Sequence, residues 1–354
     1  MLDLSSPIDT LIFAPLAPIL GVLLFWFIQI LFIESQKYLL SKIWDKHQPL
    51  CRFTNLIGIL FQTICHALGY TVTRSGISTF YISVDYGRVE PKKEKKGMFE
   101  WISNAFLFIG PFFIPPGILL IPILLLTKKT FETAPGAYNT FSQGMIHFGE
   151  NLFSFSKSFF EFLFTIDLLH PGHLGFLLLL IFLGMGIRPS YIAEEKRREK
   201  ISMIYDLKNI KNLVLQKPLY PIILLLLSYI IFYISLILEQ NWYTTVFSIL
   251  GWLSITAIVA LLIGHMLVLL IKTTDKIPGI WKLLPYITII VSYITARIIF
   301  YLHPMDYSNT ISLLTTICST SLITMFLIKH KTNKFKTDTD IKGRMVEDGT
   351  GRTS

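Results

Sequence analysis

Eight apolar runs, most of them about as long as a bilayer is thick, constrain this chain more than any other feature. They lie at about 11–33, 53–69, 101–126, 172–187, 219–238, 243–271, 280–302 and 309–328. A helix crosses the hydrocarbon core with about 20 mostly apolar residues. Charged residues are 16% of the 354 and hydrophobic ones 52%, against about 25% charged in an ordinary soluble domain. That balance excludes a soluble globular chain and a disordered one. The expected fold is an all-α polytopic membrane protein of about eight transmembrane helices. The runs at 53–69 and 172–187 are short. The run at 101–126 contains Pro111, Pro115, Pro116 and Pro122, so it is either a kinked helix or a broken, re-entrant one.

The net charge is +9. Lys and Arg crowd the segments after the second, fourth and sixth runs and the tail from Lys329, and are sparse on the alternate side. This positive-inside pattern places both termini in the cytoplasm, in a multi-pass protein of the cell membrane. It accounts for the basic excess without nucleic acid, so the lipid bilayer is the expected partner, with other membrane proteins beside it. On this topology Lys37 falls in the first external loop. No Lys or Arg precedes the first apolar run, which reads as a retained helix. Three widely spaced cysteines, Cys51, Cys65 and Cys318, imply no disulfide framework.

The segments between runs divide the chain. Residues 1–190 form a first membrane region, 191–218 a charged cytoplasmic connector, 219–328 a four-helix membrane region, and 329–354 a polar tail expected to be disordered. Residues 70–98 carry near-alternating Thr, Val, Ile, Phe and Tyr broken by Gly76 and Gly87. This predicts a small β hairpin in a cytoplasmic loop after the second helix, followed by the solvated basic run Lys92 to Lys96. The Phe-rich stretch around 148–164 predicts a helix that either lies in the membrane interface or packs on the bundle.

The second run ends in Gln62-Thr63-Ile64-Cys65-His66-Ala67-Leu68-Gly69-Tyr70, and the hairpin follows it. This order resembles the site-2 protease family of intramembrane zinc metalloproteases, in which a membrane helix carries His-Glu-x-x-His before a membrane-associated β segment. Gly184-x-Gly186-Ile187-Arg188-Pro189-Ser190 after the fourth run is similar to small relatives of the same family. The resemblance covers about 53–126 and extends more weakly to about 190. It implies a helix–hairpin–helix core, with zinc held by two imidazoles one turn apart and a Glu that activates water. In this chain the motif is degenerate. Gln62 stands at the first ligand position, Thr63 at the general-base position, and His66 is retained. A carboxamide is a poor zinc ligand and a threonine hydroxyl is no base near neutral pH. No Asp lies within the eight runs to complete the site. No cofactor is therefore expected, and zinc only if the motif is not truly degenerate. A metal-free His66 needs another partner, with the Gln62 carbonyl, Ser83 and Asp85 nearest by sequence.

Other polar groups invite weaker readings. Asp167, His170 and His173 share a helical spacing suited to a metal, although Pro171 and Gly172 interrupt it. His265 and Arg297 lie within the sixth and seventh runs, where ionisable groups are costly and a transport role is a default hypothesis. The leading functional expectation is a non-catalytic protein that binds membrane partners. The alternatives are a small transporter or channel built on the C-terminal helices, and an atypical metalloprotease using His66 with His147 or His170.

Overall fold

The structure is a computed structural model. It describes residues 7–84, 86–127, 133, 136–187 and 205–350, with side chains throughout except at 205–207, 209 and 331–350. Ten α-helices and one hairpin are described, besides a π-helical turn at Asp9–Phe13 and a 3-10 turn at Gly279–Leu283: α1 Leu16–Ile43, α2 Gln48–Val72, β1 Ile77–Ile82, β2 Gly87–Pro91, α3 Met98–Thr127, α4 Phe141–Phe164, α5 Pro171–Gly186, α6 Tyr205–Gln216, α7 Leu219–Ile237, α8 Trp242–Thr274, α9 Leu284–Leu302 and α10 Ser308–Thr350. Seven of these are long and apolar enough to cross a membrane. The protein is an all-α polytopic membrane protein with a two-stranded hairpin after the second helix. The expected fourth span, α5, is apolar but only 16 residues, about 24 Å at 1.5 Å per residue. The charged stretch Arg188 to Lys200, the end of the Gly184-to-Ser190 turn, Asp85 and residues 351–354 lie outside the described residues.

The chain divides into two compact units: Met1–Phe160 with Leu169–His265, and Glu161–Leu168 with Met266–Ser354. In the first, α2 is a hub whose faces serve different neighbours. Cys65 and Gly69 meet α3, where a Cβ added at Gly110 would lie 2.8 Å from Cys65 Sγ and one at Gly69 3.0 Å from the Ser103 backbone. Ile57 meets α5, closing on Gly186 so tightly that a Cβ there would fall at 2.1 Å. A Cβ on Gly184 would stand 2.2 Å from the Ala260 carbonyl oxygen of α8. Small residues admit such close helix approach where lipid offers no hydrophobic drive.

Helix α3 settles the proline question: it is one continuous helix carrying all four prolines. Pro116 has no N–H to give the carbonyl of Phe112 four residues back. Gln29 of α1 supplies the missing donor, its Nε2 reaching Phe112 O at 2.8 Å. Helix α4 packs on the bundle within this unit. Asn151 Nδ2 donates to Ser248 Oγ at 2.9 Å, Trp252 Nε1 donates to Asn151 O, and Phe155 stacks on Trp252.

Helix α1 departs from expectation. The first run was expected to end at 33, with Lys37 in a loop. The helix continues to Ile43, and Gln29, Glu34, Gln36 and Lys37 are all buried, each at most 1% exposed. Lys37 Nζ and Glu34 Oε1 are 2.8 Å apart, one turn along the helix. A buried pair keeps its charge only with such a partner, and the pair makes a polar segment compatible with a helix interior.

In the second unit α9 and α10 pack as neighbours, and a polar cluster ties α9 and α10 to Thr165 and Asp167. Arg297 of α9 pairs with Asp167 Oδ2 at 2.9 Å and bonds Asn309 of α10. Tyr293 donates to Asp167 Oδ1 and accepts from Leu168 N–H. Asn309 Nδ2 donates to Thr165 O. The backbone of α10 stays helical to Thr350, where disorder was expected from 329. No proline falls between Ser308 and Thr350 to stop it.

Candidate functional site

The hairpin and the helix before it form the site that the sequence singled out. Helix α2 stops in a Schellman arrangement: Ser75 N–H bonds Tyr70 O, Arg74 N–H bonds Thr71 O, and Arg74 takes φ +53°. The reversal is followed by Gly76, also at positive φ. The strands then pair antiparallel, Phe80 opposite Val89 and Ile82 opposite Gly87, with an irregularity between Ile77 and Thr79. Ser83 closes the turn, its N–H and hydroxyl both donating to Tyr86 O.

The expected loop hairpin does not project from the end of α2. It folds back along it. Gly87 sits on Thr63 and Ile59, where a Cβ would come within 2.1 Å of Thr63 Oγ1. The turn residue Val84 shares a surface depression with Pro49, Arg52, Phe53 and Leu56, at the start of α2. Thus the hairpin runs beside most of a spanning helix. Val89 is buried against the structure, while Phe80, Tyr81 and Tyr86 are exposed. Arg88 and Glu90 pair on the surface, and the guanidinium holds the Glu90 carboxyl below the usual carboxylate range.

Of the positions that carry the resemblance, Thr63 meets this hairpin. Thr63 is buried and its hydroxyl donates to Ile59 O at 2.6 Å. His66 and Tyr70 continue the Ile59–Thr63 stripe at helical spacing; both are half-buried, with ring centroids 4.5 Å apart. Gln62 is half-buried beside them. Ser83, one expected partner of His66, is bonded to Tyr86 instead. The arrangement presents one imidazole, one carboxamide and a hydroxyl already committed to the backbone.

The other singled-out residues lie elsewhere. Asp167 serves Arg297 and Tyr293 in the second unit. His170 caps α5, accepting at Nδ1 from His173 N–H at 3.4 Å, and the two rings lie 4.6 Å apart. Among the described residues no three His, Cys, Asp or Glu gather closely enough for a metal ion. His147 sits against Tyr138 with its Nδ1 buried and unpartnered. His265 bonds Leu261 O through Nδ1 at 2.8 Å. A carbonyl only accepts, so Nδ1 carries the proton and Nε2 is a bare lone pair, buried without a partner. The Phe32 ring of α1 stands edge-on to it at 5.8 Å, and Gln36 Nε2, also unpartnered, lies beside Gly264.

Sequence reasoning missed the polar stripe of α1. The signal was present: Gln29, Ile33, Gln36 and Leu40 recur at three and four residues, a helical period that crosses the apparent end of the apolar run. No family model, no curated protein and no solved structure matches this chain.

Proposed function

We propose that this is a non-catalytic, site-2-protease-like membrane protein that holds a polypeptide segment of another membrane protein beside its hairpin. In this reading it resides in the cell membrane with both termini cytoplasmic. The observation that carries it is the course of the hairpin along α2. The Ser83–Tyr86 bond sets the ladder alternation, so Tyr81 and Thr79 bond inward to β2 while the amides of Phe80 and Ile82 point to the outer edge of β1. Among the described residues no strand pairs with that edge. A free strand edge is not tolerated against lipid tails, because each unpaired backbone group costs several kcal/mol there. An extended segment of a partner is the chemistry that satisfies it.

Zinc does not fit the residues present. Gln62 offers a carboxamide, the Thr63 hydroxyl is tied to Ile59 O under the hairpin, and one imidazole alone holds zinc weakly.

The test is site-specific photocrosslinking in native membranes with a benzophenone side chain at Tyr81. A crosslinked membrane polypeptide is expected, and it should vanish with Phe80→Pro, which removes an outward N–H without taking a ladder bond. A crosslink that survives Phe80→Pro refutes edge pairing. Zinc-dependent proteolysis by the purified chain refutes the non-catalytic reading. Reporter fusions at the tail and near Glu90 check the orientation. A second reading, a transporter, is favoured by the buried Glu34–Lys37 pair with Gln36 and His265 in the first unit; solute or proton flux in proteoliposomes, abolished by His265→Leu, would support it.

A further inference from the structure

A cavity of about 630 Å³ opens where the ends of α2 and α3 meet the root of the hairpin. It lies within the first unit, and its size is that of ordinary small-ligand sites. Its floor is polar. Ser75 and Ser103 line it, and behind them Thr73 Oγ1 bridges Ser75 Oγ at 2.9 Å and Ser103 Oγ at 3.1 Å, all three buried. One wall is the loop ending at Gly97, whose φ of +74° turns the chain into α3. Lys95 pins that loop, its Nζ donating to Thr73 O at 2.6 Å while the ammonium stands 4.7 Å from the centre of the Phe99 ring. The opposite wall is Lys217, between α6 and α7, 3.1 Å from Glu100. Trp101 fixes that wall by donating to Leu213 O.

Three lysines, Lys95, Lys96 and Lys217, thus line one cavity with two carboxylates, Glu94 and Glu100, which leaves it an excess of one positive charge. Lys217 bonds Glu100 at 3.1 Å, and its exposed ammonium keeps further N–H donors free to turn toward a ligand. Lys96 is exposed, and Lys92 and Lys93 add charge just outside. Beside this polar mouth the surface is apolar: Phe99 is 50% exposed and Leu219 62%. Both begin helices that qualify as membrane spans. The mouth therefore offers cations and hydroxyls next to a greasy flank, at the level where helices leave the bilayer.

We infer that this cavity binds the phosphate-bearing headgroup of an anionic phospholipid, with Lys96 and Lys217 on the phosphate and the acyl chains along Phe99 and Leu219. The shared chemistry is a phosphate monoanion or diester. The apolar flank selects a lipid over a soluble phosphate, since a free anion gains nothing from Phe99 and Leu219. Basic pockets between spanning helices on the cytoplasmic side are suited to such headgroups. The inference does not depend on what the hairpin binds.

The experiment uses the purified full-length chain in a neutral detergent, read by native mass spectrometry and by thermal shift. Phosphatidylglycerol, phosphatidylcholine, glycerol phosphate and inorganic phosphate are added separately at equal concentration. Phosphatidylglycerol is expected to remain bound and to raise the melting temperature, with phosphatidylcholine at least tenfold weaker. Lys96→Glu with Lys217→Glu should weaken phosphatidylglycerol at least tenfold. Lys92→Glu with Lys93→Glu, which removes the same charge outside the cavity, should change it less than twofold. Equal loss in both double variants, or equal binding of the two lipids, overturns the site. Displacement of the lipid by glycerol phosphate or inorganic phosphate at equal concentration overturns the lipid source. Lys96→Gln alone, at an exposed side chain, serves if the double variant does not fold, with a threefold or greater loss expected and an unchanged affinity counting against the site.

Discussion

Replacing Gln29 by Leu should change stability by an amount, and even a sign, that depends on Pro116. In the native chain Gln29 Nε2 caps Phe112 O at 2.8 Å with both residues fully buried. Without it the carbonyl is unpaired, a cost of about 1–3 kcal/mol. An opposing term exists, because Gln29 Oε1 is itself buried without a partner; removing it recovers about 1 kcal/mol or somewhat more. Gln29→Leu alone should therefore destabilise by about 0–2 kcal/mol. With Pro116→Ala, the new amide closes the ordinary bond to Phe112 O. Gln29→Leu on that background should be neutral or stabilising by about 1 kcal/mol. The coupling across the cycle is about 1–3 kcal/mol. Reversible unfolding in mixed detergent–SDS micelles measures all four chains, and whatever Pro116→Ala does on its own cancels. If the two substitutions add within about 0.5 kcal/mol, Gln29 is not capping a proline-orphaned carbonyl and the account of α3 fails.

Other expectations follow from the same contacts. Gly184→Ala should lower stability by about 2 kcal/mol or more, because its Cβ meets the Ala260 backbone, which has no rotamer to yield; the thermal midpoint in detergent reports it. Gly87→Ala should loosen the hairpin by about 1–3 kcal/mol, with part of that restored by Thr63→Ala, since the closest clash is with Thr63 Oγ1 while Ile59 Cγ2 stays at 2.9 Å; protease nicking near residues 83–86 follows it. Arg297→Met should cost about 1.5–3 kcal/mol, the range for hydrogen bonds to charged groups, and Asp167→Asn less, because the one carbonyl oxygen of Asn still accepts from Arg297 and only the bond from Tyr293 to the second carboxylate oxygen is lost. Glu90 titrates below the ordinary range because of Arg88, so its contribution is present above the unfolded carboxylate pKa and is lost as pH falls through the depressed folded value. Carboxyl NMR should show the Glu90 transition return toward the ordinary value in Arg88→Gln.

The two kinds of residue differed in how far the sequence disclosed them. Spans were legible because the apolar run and the helix coincide wherever every turn faces lipid or core. At α1 they part company. The run ends at Ile33, but Glu34, Gln36 and Lys37 continue the buried stripe, and a hydropathy window cannot distinguish a charge buried with a partner from one in a loop. Residue periodicity could. The hairpin was legible from alternation and glycines, yet its placement was not, because Gly87 approaches Thr63 across 24 positions of sequence and no local pattern encodes that. Arg297 announced itself as a cation within an apolar run, but its partner Asp167 sits 130 positions away, where spacing had suggested a metal cluster with His170 and His173 instead.

These placements converge on the problem of keeping a β hairpin within an otherwise helical membrane protein. A two-stranded hairpin alone is marginal in water, and beside lipid its edges are worse than marginal. Here the inner face is fastened at two heights, by Lys95 and the Thr73–Ser75–Ser103 hydroxyls at its root and by Gly87 on Thr63 midway, and its tip at Val84 borders a depression shared with the start of α2. Thr63 can be this fastening because its hydroxyl is satisfied by Ile59 O; a Glu at this position would bring a longer charged group against Gly87, where even a Cβ is too much. Thr63, at the position where the site-2 protease resemblance implies a general base, is thus the residue on which the hairpin closes, so Thr63→Glu should undo the hairpin contact.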